Sequence, residues 1–310
     1  MVVGPPRATR PGRAIMRRPI LALLAAIIAT MPVAADWRAE TGVFRIGVVD
    51  PGGGTTSPAR YEPFREAVST AIDMPVEVLV LRDAPSLIDA QTSGRIEYAI
   101  LSALGYAAAQ EMCACLVPLV VPRTAGGATG VRSVLVVDAA TGEEAVGSGP
   151  IGYGPEGSLT GALAPQVAFT HQGQPLGEAG LDLVVQPSFE AARDAFLAGD
   201  LAGLFAWDYA VADPDRAIGG GLGAALVGDA AVGASILWRS EHVPFGPHAV
   251  RDTVPADVRT ALREALVALE EAAPDAYDVI SPTLGGGFVP VEAADYAFAA
   301  RIVKALAETP

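Results

Sequence analysis

The sequence predicts an α/β protein of two lobes joined twice, the second inserted in the first. Three observations predict it. β-Branched apolar runs alternate with helix-length amphipathic stretches from residue 44 to residue 121. After a glycine-rich connection at residues 125–130 the alternation starts afresh. The chain then crosses back at residues 244–250 and finishes in two long helical patterns.

The elements follow in order. FRIGVV at residues 44–49 is a buried strand, ended by Asp50-Pro51 and glycines 52–54. A helix over 61–72, a strand over 76–81, a helix over 84–92 ending at Gly94, a strand over 98–101, a helix over 103–112 and a strand over 116–121 complete a βαβαβαβ series. That order implies a mostly parallel sheet with helices on both faces, whose ligands sit beyond the carboxyl ends of strands. Those ends are residues 50–57, 82–85 and 102–106. In the second lobe the strands are 133–137, a short run to Tyr153, 181–185, 203–207 and 234–238, with helices from Ser158 and over 188–197 and a glycine-rich passage at 219–233. Helices over 255–272 and 293–307 close the chain, Pro255 suiting a first turn.

Residues 1–35 read as an export leader. Arg17 and Arg18 precede an apolar run at 19–31, and Val33-Ala34-Ala35 is a small-residue cleavage site that leaves Asp36-Trp37 at the new terminus. Nothing later in the sequence reaches the roughly 18 apolar residues a membrane span requires. The formal charge is −14 over 310 residues. Without the leader's five arginines, 16 basic side chains face 35 acidic ones, a net −19. So acidic a chain argues against nucleic acid or an anionic membrane as partner. Lys304 is the only lysine, so a charged donor in any site is an arginine. Cys113 and Cys115 are the only cysteines; a tight disulfide and two buried thiols are both open readings.

The most informative stretch is PIGYGPEGSLTGALAP, residues 150–165. A strand end enters a glycine-proline turn, and Ser158 then opens a helix-competent run. A helix start offers unpaired N–H groups and a positive dipole end, and the hydroxyls of Ser158 and Thr160 with the backbone of Gly157 and Leu159 would complete an anion site. The alternative is a plain cap on a plain turn. Catalytic signatures are lacking. The three histidines, His171, His242 and His248, have no metal-ligand spacing, Gly157-Ser158 is no nucleophile elbow, and no phosphate-binding loop or dinucleotide fingerprint occurs. No catalytic residue, metal site or cofactor is expected.

Several stretches in order resemble the phosphate/phosphonate-type periplasmic substrate-binding proteins of ABC transporters: FRIGVVDP, residues 61–101, LGYAAA, FLAGDLAG, ILWRSEHVPFGP and GGFVPVEAADY, with GPEGSLTGALAP similar to the family's hydroxyl-rich helix start. The resemblance implies the two-lobe type II binding-protein fold with a hinge of two crossing segments. It divides the chain into a leader (1–35), lobe 1 (36–124 and 244–310) and an inserted lobe 2 (125–243). It implies a periplasmic protein with no stable membrane insertion once the leader is cut, a small anionic ligand in the interlobe cleft, and permease subunits as partners. Ligand contacts fall on Gly157, Ser158, Leu159 and Thr160, on Ser102 and Tyr106 in the first lobe, and on Trp207 and Asp208. The chain departs from the family where Leu159 replaces the middle hydroxyl and Phe189 stands in place of a histidine. A receptor for a sensor, or an exported enzyme on the same scaffold, are the other expectations.

Overall fold

The computed structural model describes residues 1–4, 33–49, 57–213 and 218–308. The leader from residue 5 to residue 32 and the strand end at 50–56 lie outside the described residues. From Val33 onward the chain is one compact unit. It opens with α1 (Val33–Thr41), whose Trp37 ring meets Phe44 edge-on at 6.5 Å. Then follow β1 (Phe44–Val49), α2 (Glu62–Ile72), β2 (Val76–Leu81), α3 (Ala84–Thr92), β3 (Tyr98–Ile100), α4 (Ala103–Cys113) and β4 (Leu116–Thr124). Strand alternation puts Phe44, Ile46 and Val48 on one face of the sheet. They pack there on Phe64, Val68 and Ile72 of α2, spaced at one helical face.

The second series is β5 (Gly130–Asp138), β6 (Ile151–Tyr153), α5 (Ala164–Ala168), the two-residue strands β7 (Thr170–His171) and β8 (Gln174–Pro175), β9 (Leu183–Val185), α6 (Phe189–Leu197), β10 (Gly203–Ala210), α7 (Leu222–Gly228) and β11 (Ala234–Arg239). The chain returns through β12 (Val243–Pro244) and β13 (His248–Arg251) and ends in α8 (Ala256–Ala272), α9 (Pro274–Ile280), β14 (Gly285–Pro290) and α10 (Ala297–Glu308).

Among the described residues the strands form two six-stranded sheets and the small β7-β8 pair. The first runs β14-β4-β13-β3-β1-β2 and the second β11-β5-β10-β6-β9, with β12 paired to β5. The first sheet corrects the mostly parallel expectation. β1 pairs in parallel with β2 and β3, but the returning β13 wedges antiparallel between β3 and β4, and β14 joins β4 antiparallel. β4 keeps the sense of its predecessors without touching them. Cys113 and Cys115 form a disulfide at the end of α4, which decides between the two readings.

His248 lies buried on β13 beside β3, where the Tyr98 hydroxyl reaches its Nδ1. Burial pushes His248 down to about 3, and burial and then Arg132 push His242 down to about 4. The unfolded chain binds these protons near pH 6.5, the folded chain only far below. Stability present above pH 6.5 is therefore lost as pH falls toward 4. Half-buried Glu97 and buried Asp208 have carboxyls raised by desolvation and act in the opposite sense, from the ordinary carboxylate range upward. The expected result is a thermal midpoint that falls between pH 7 and pH 5, with a shallower slope in His242→Asn. Equal slopes would remove His242 from the account.

Candidate functional site

The parallel strands of the second sheet all end on one side. β6 is flanked by β10 and β9, with Gly203 opposite Ile151 and Val185 opposite Tyr153. Beyond Tyr153 the chain turns through residues 154–157, Gly154-Pro155 being a cis peptide, and Ser158 starts a helix. The Ser158 Oγ accepts from the Gly161 amide at 3.1 Å, an N-cap bond. The first turn, Leu159–Leu163, is wound as a π-helix: both Ala162 and Leu163 donate to the Ser158 carbonyl, at 3.1 and 3.0 Å. Such turns recur at functional sites. Two tethers account for the wide winding. Gly154 N donates to Gly161 O at 2.8 Å, and Ser133 Oγ donates to Thr160 O at 2.6 Å.

Other strand ends are built alike. After β9, Ser188 caps α6 by accepting from Ala191 at 3.1 Å, and Phe189 follows it into the first turn. In the first sheet Asp83 caps α3 after β2, and the exposed Ser102 caps α4 after β3 by accepting from Gly105 at 3.0 Å. In every case the cap serves the third helical amide and leaves the first two without a partner from the helix itself. The Ser158 turn also joins the two sheets. Leu159, Leu163 and Ala164 share one apolar cluster with Leu101, Ala103 and α10 residues Phe298 and Ile302.

An aromatic wall runs beside this turn. The Phe189 ring lies against Gly161, and with Trp207, Glu190, Arg193 and Leu222 it lines a concavity of about 270 Å³. Arg193 is paired to neighbouring Asp194. Trp207 meets Tyr209 edge-on at 5.2 Å, and Tyr209 meets Phe245 of the second crossing at 6.2 Å. The Tyr296 hydroxyl holds Phe245 by donating to its carbonyl at 2.7 Å. A larger concavity, about 740 Å³, lies between Tyr153, Gly157 and Leu163 on one side and Ile302 and Leu306 of α10 on the other, with Glu156 and Glu178 at its edge.

The sequence-derived residues therefore separate into groups. Gly157, Ser158, Leu159 and Thr160 sit together, Thr160 buried at 6% exposure, and Trp207 stands close by through Phe189. Ser102 stands at the parallel position in the first lobe. Two expectations need correction. Tyr106, 1% exposed, packs on Tyr296 with ring centroids 4.8 Å apart, and its hydroxyl accepts from Gln110 at 3.1 Å. Burial pushes it up to about 12. It is a core residue because its helix turns that face inward. Asp208, 8% exposed, accepts from the Ala224 amide at 2.7 Å and so caps α7. Tyr209 and Phe245 were missed. Tyr209 sits two residues beyond Trp207, hence on the same face, and a strand carried past Asp208 would have revealed it.

Two sheets, each with capped helix starts beyond its parallel strand ends and joined through the Ser158 turn, form an architecture suited to holding a ligand at those ends. The chain belongs to the family described as ABC transporter, phosphonate, periplasmic substrate-binding protein, whose family model matches residues 53–296. No curated protein matches the sequence. Among solved structures, XAC2383 from Xanthomonas citri bound to ATP aligns over 87% of this chain and 100% of its own, at 13% identity and a TM-score of 0.54. Mh-p37 from Mycoplasma hyorhinis aligns over 84% of this chain and 98% of its own, at 8% identity and a TM-score of 0.54. Both share the fold. PhnD1 from Prochlorococcus marinus in complex with methylphosphonate aligns over 86% of this chain and 99% of its own, at 12% identity and a TM-score of 0.48.

Proposed function

We propose that this chain is the periplasmic receptor of an ABC importer and holds a small organic anion, phosphonate- or phosphate-like, at the Ser158 helix start. In this reading lobe 1 is residues 36–124 with 244–310 and lobe 2 is residues 125–243. The observation that carries it is that the Ser158 turn, whose cap serves only the third amide, packs against residues of the first sheet. A ligand there touches both, so its binding favours the closed arrangement by the difference in contacts. The anionic end is held by the amides of Leu159 and Thr160 and by the Ser158 hydroxyl. Leu159, in place of a third hydroxyl, with Phe189 and Trp207, favours a ligand with a carbon body over a bare inorganic ion. Ser102 is the first-lobe contact. The closed receptor delivers to permease subunits that grip both lobes, and no bond chemistry is required.

A thermal-shift panel of phosphate, phosphite, alkyl- and aminophosphonates, sulfonates and carboxylates tests this. A ligand at 100 times its dissociation constant adds about 2.7 kcal/mol to stability, a rise of roughly 5 °C or more. Ser158→Ala with Thr160→Ala, which removes the Ser158 hydroxyl and keeps both amides, should weaken the best ligand by about 1–3 kcal/mol through that lost charge-assisted bond. Undiminished binding by the double variant would refute the Ser158 assignment.

A further inference from the structure

A second polar concavity, about 430 Å³, lies on the other face of the second sheet. It is lined by Arg132, Arg239, Ser240, Glu241, His242 and Asp295. Ser133 points its hydroxyl at the Ser158 turn, so the preceding Arg132 projects to the opposite face. Arg239 pairs with Val134 across β11 and β5, two residues on from Arg132, and shares that face.

The hydrogen-bonding capacity of the two arginines there is not used up. Arg132 donates from one Nη to the Val211 carbonyl at 3.0 Å, and its buried Nε has no partner among the described residues. Neither arginine belongs to a salt bridge among the described residues. Burial, then repulsion from Arg239, pulls the Arg132 guanidinium down from its ordinary value against the attraction of Asp208. The surrounding acids also make other bonds, while Asp208, opposite Arg132 on β10, attracts both arginines. Glu241 is tied to Arg301, Asp295 accepts from the Glu292 amide at 2.8 Å, and Asp208 caps α7. His242 is neutral at pH 7.

Two guanidinium groups turned into one concavity, one with a buried and unmatched N–H, are suited to planar, two-pronged recognition of an oxyanion. We propose that this concavity is a second anion site, taking a small oxyanion or carboxylate between Arg132 and Arg239. It lies beside the second crossing, since Asp295 comes from the segment leading into α10 while the arginines come from β5 and β11. The site stands independently of the Ser158 assignment, because a different face and different residues form it.

Calorimetric titration of the full chain with inorganic phosphate, and separately with sulfate, tests it. Wild type should show an equivalent, separate from any bound at Ser158, that persists in the Ser158→Ala, Thr160→Ala variant and weakens by about tenfold or more in Arg239→Glu. Arg239 is exposed, so that variant keeps its thermal midpoint, and Arg132→Gln should repeat the loss. The site is overturned by a wild type that takes up neither anion, by binding that Arg239→Glu leaves unchanged, or by binding that the Ser158→Ala, Thr160→Ala variant abolishes.

Discussion

Replacing Gly161 by alanine should lower the thermal midpoint by roughly 6 °C or more and remove the ligand-dependent shift with it. The added Cβ would stand 2.0 Å from the Gly154 carbonyl oxygen, 2.8 Å from its carbon and 3.2 Å from the Phe189 ring. Two of these three atoms are backbone, so no side-chain rotation relieves the clash. The turn must move away from β6, breaking the Gly161–Gly154 bond that winds the first turn wide. A loss of about 3 kcal/mol or more is expected from forcing apart so close a backbone contact. Gly177→Ala is the control, because nothing lies within 4 Å of that position. Thermal unfolding with and without the best ligand measures both effects, and a Gly161→Ala protein indistinguishable from Gly177→Ala would contradict the packing described.

Gly246→Ala should be as damaging, at the other end of the cleft. Its Cβ would fall 1.8 Å from the Leu101 carbonyl oxygen and 2.8 Å from Ser102 Cα. The second crossing is clamped there on both sides: Leu101 N donates to Pro247 O at 3.1 Å, and Phe245 N donates to Thr129 O at 2.8 Å. Prising it away displaces the start of α4 and the Phe245 ring together. Destabilisation of about 3 kcal/mol or more is expected, and hydrogen exchange should place the new exposure at residues 98–106 and 243–250. Exposure confined to the second sheet would show that the crossing is not what holds Ser102.

Much of the fold was legible because local periodicity encodes it. The alternation of Phe44, Ile46 and Val48 and the spacing of Phe64, Val68 and Ile72 each declare a buried face within a dozen residues. Strand order was not, since β13 reaches β3 from about 150 residues away and no local pattern names a partner. Two elements were lost to glycine. α7 lies inside the passage taken for a loop, and β14 opens on Gly285-Gly286-Gly287. In the site, the Ser158 cap could be read from its residue type, but the π winding depends on Ser133, a residue on another strand. Tyr106 was misplaced because a helix sequence says that a face is buried without saying against what. Asp208 caps a helix sixteen residues away, a pairing that only the folded chain reveals.

The carbon contact between the lobes has a thermal consequence. Leu159, Leu163 and Ala164 meet Leu101 and Ala103 without an ion pair among them, while the exposed Arg301–Glu241 pair adds little on its own. Parting the lobes wets hydrocarbon, and the penalty for doing so is largely the entropy of the water that gathers there. That penalty shrinks on cooling. On the proposed receptor reading the two sheets would part more readily in the cold, and the solvent itself would do part of the work of closing them when warm.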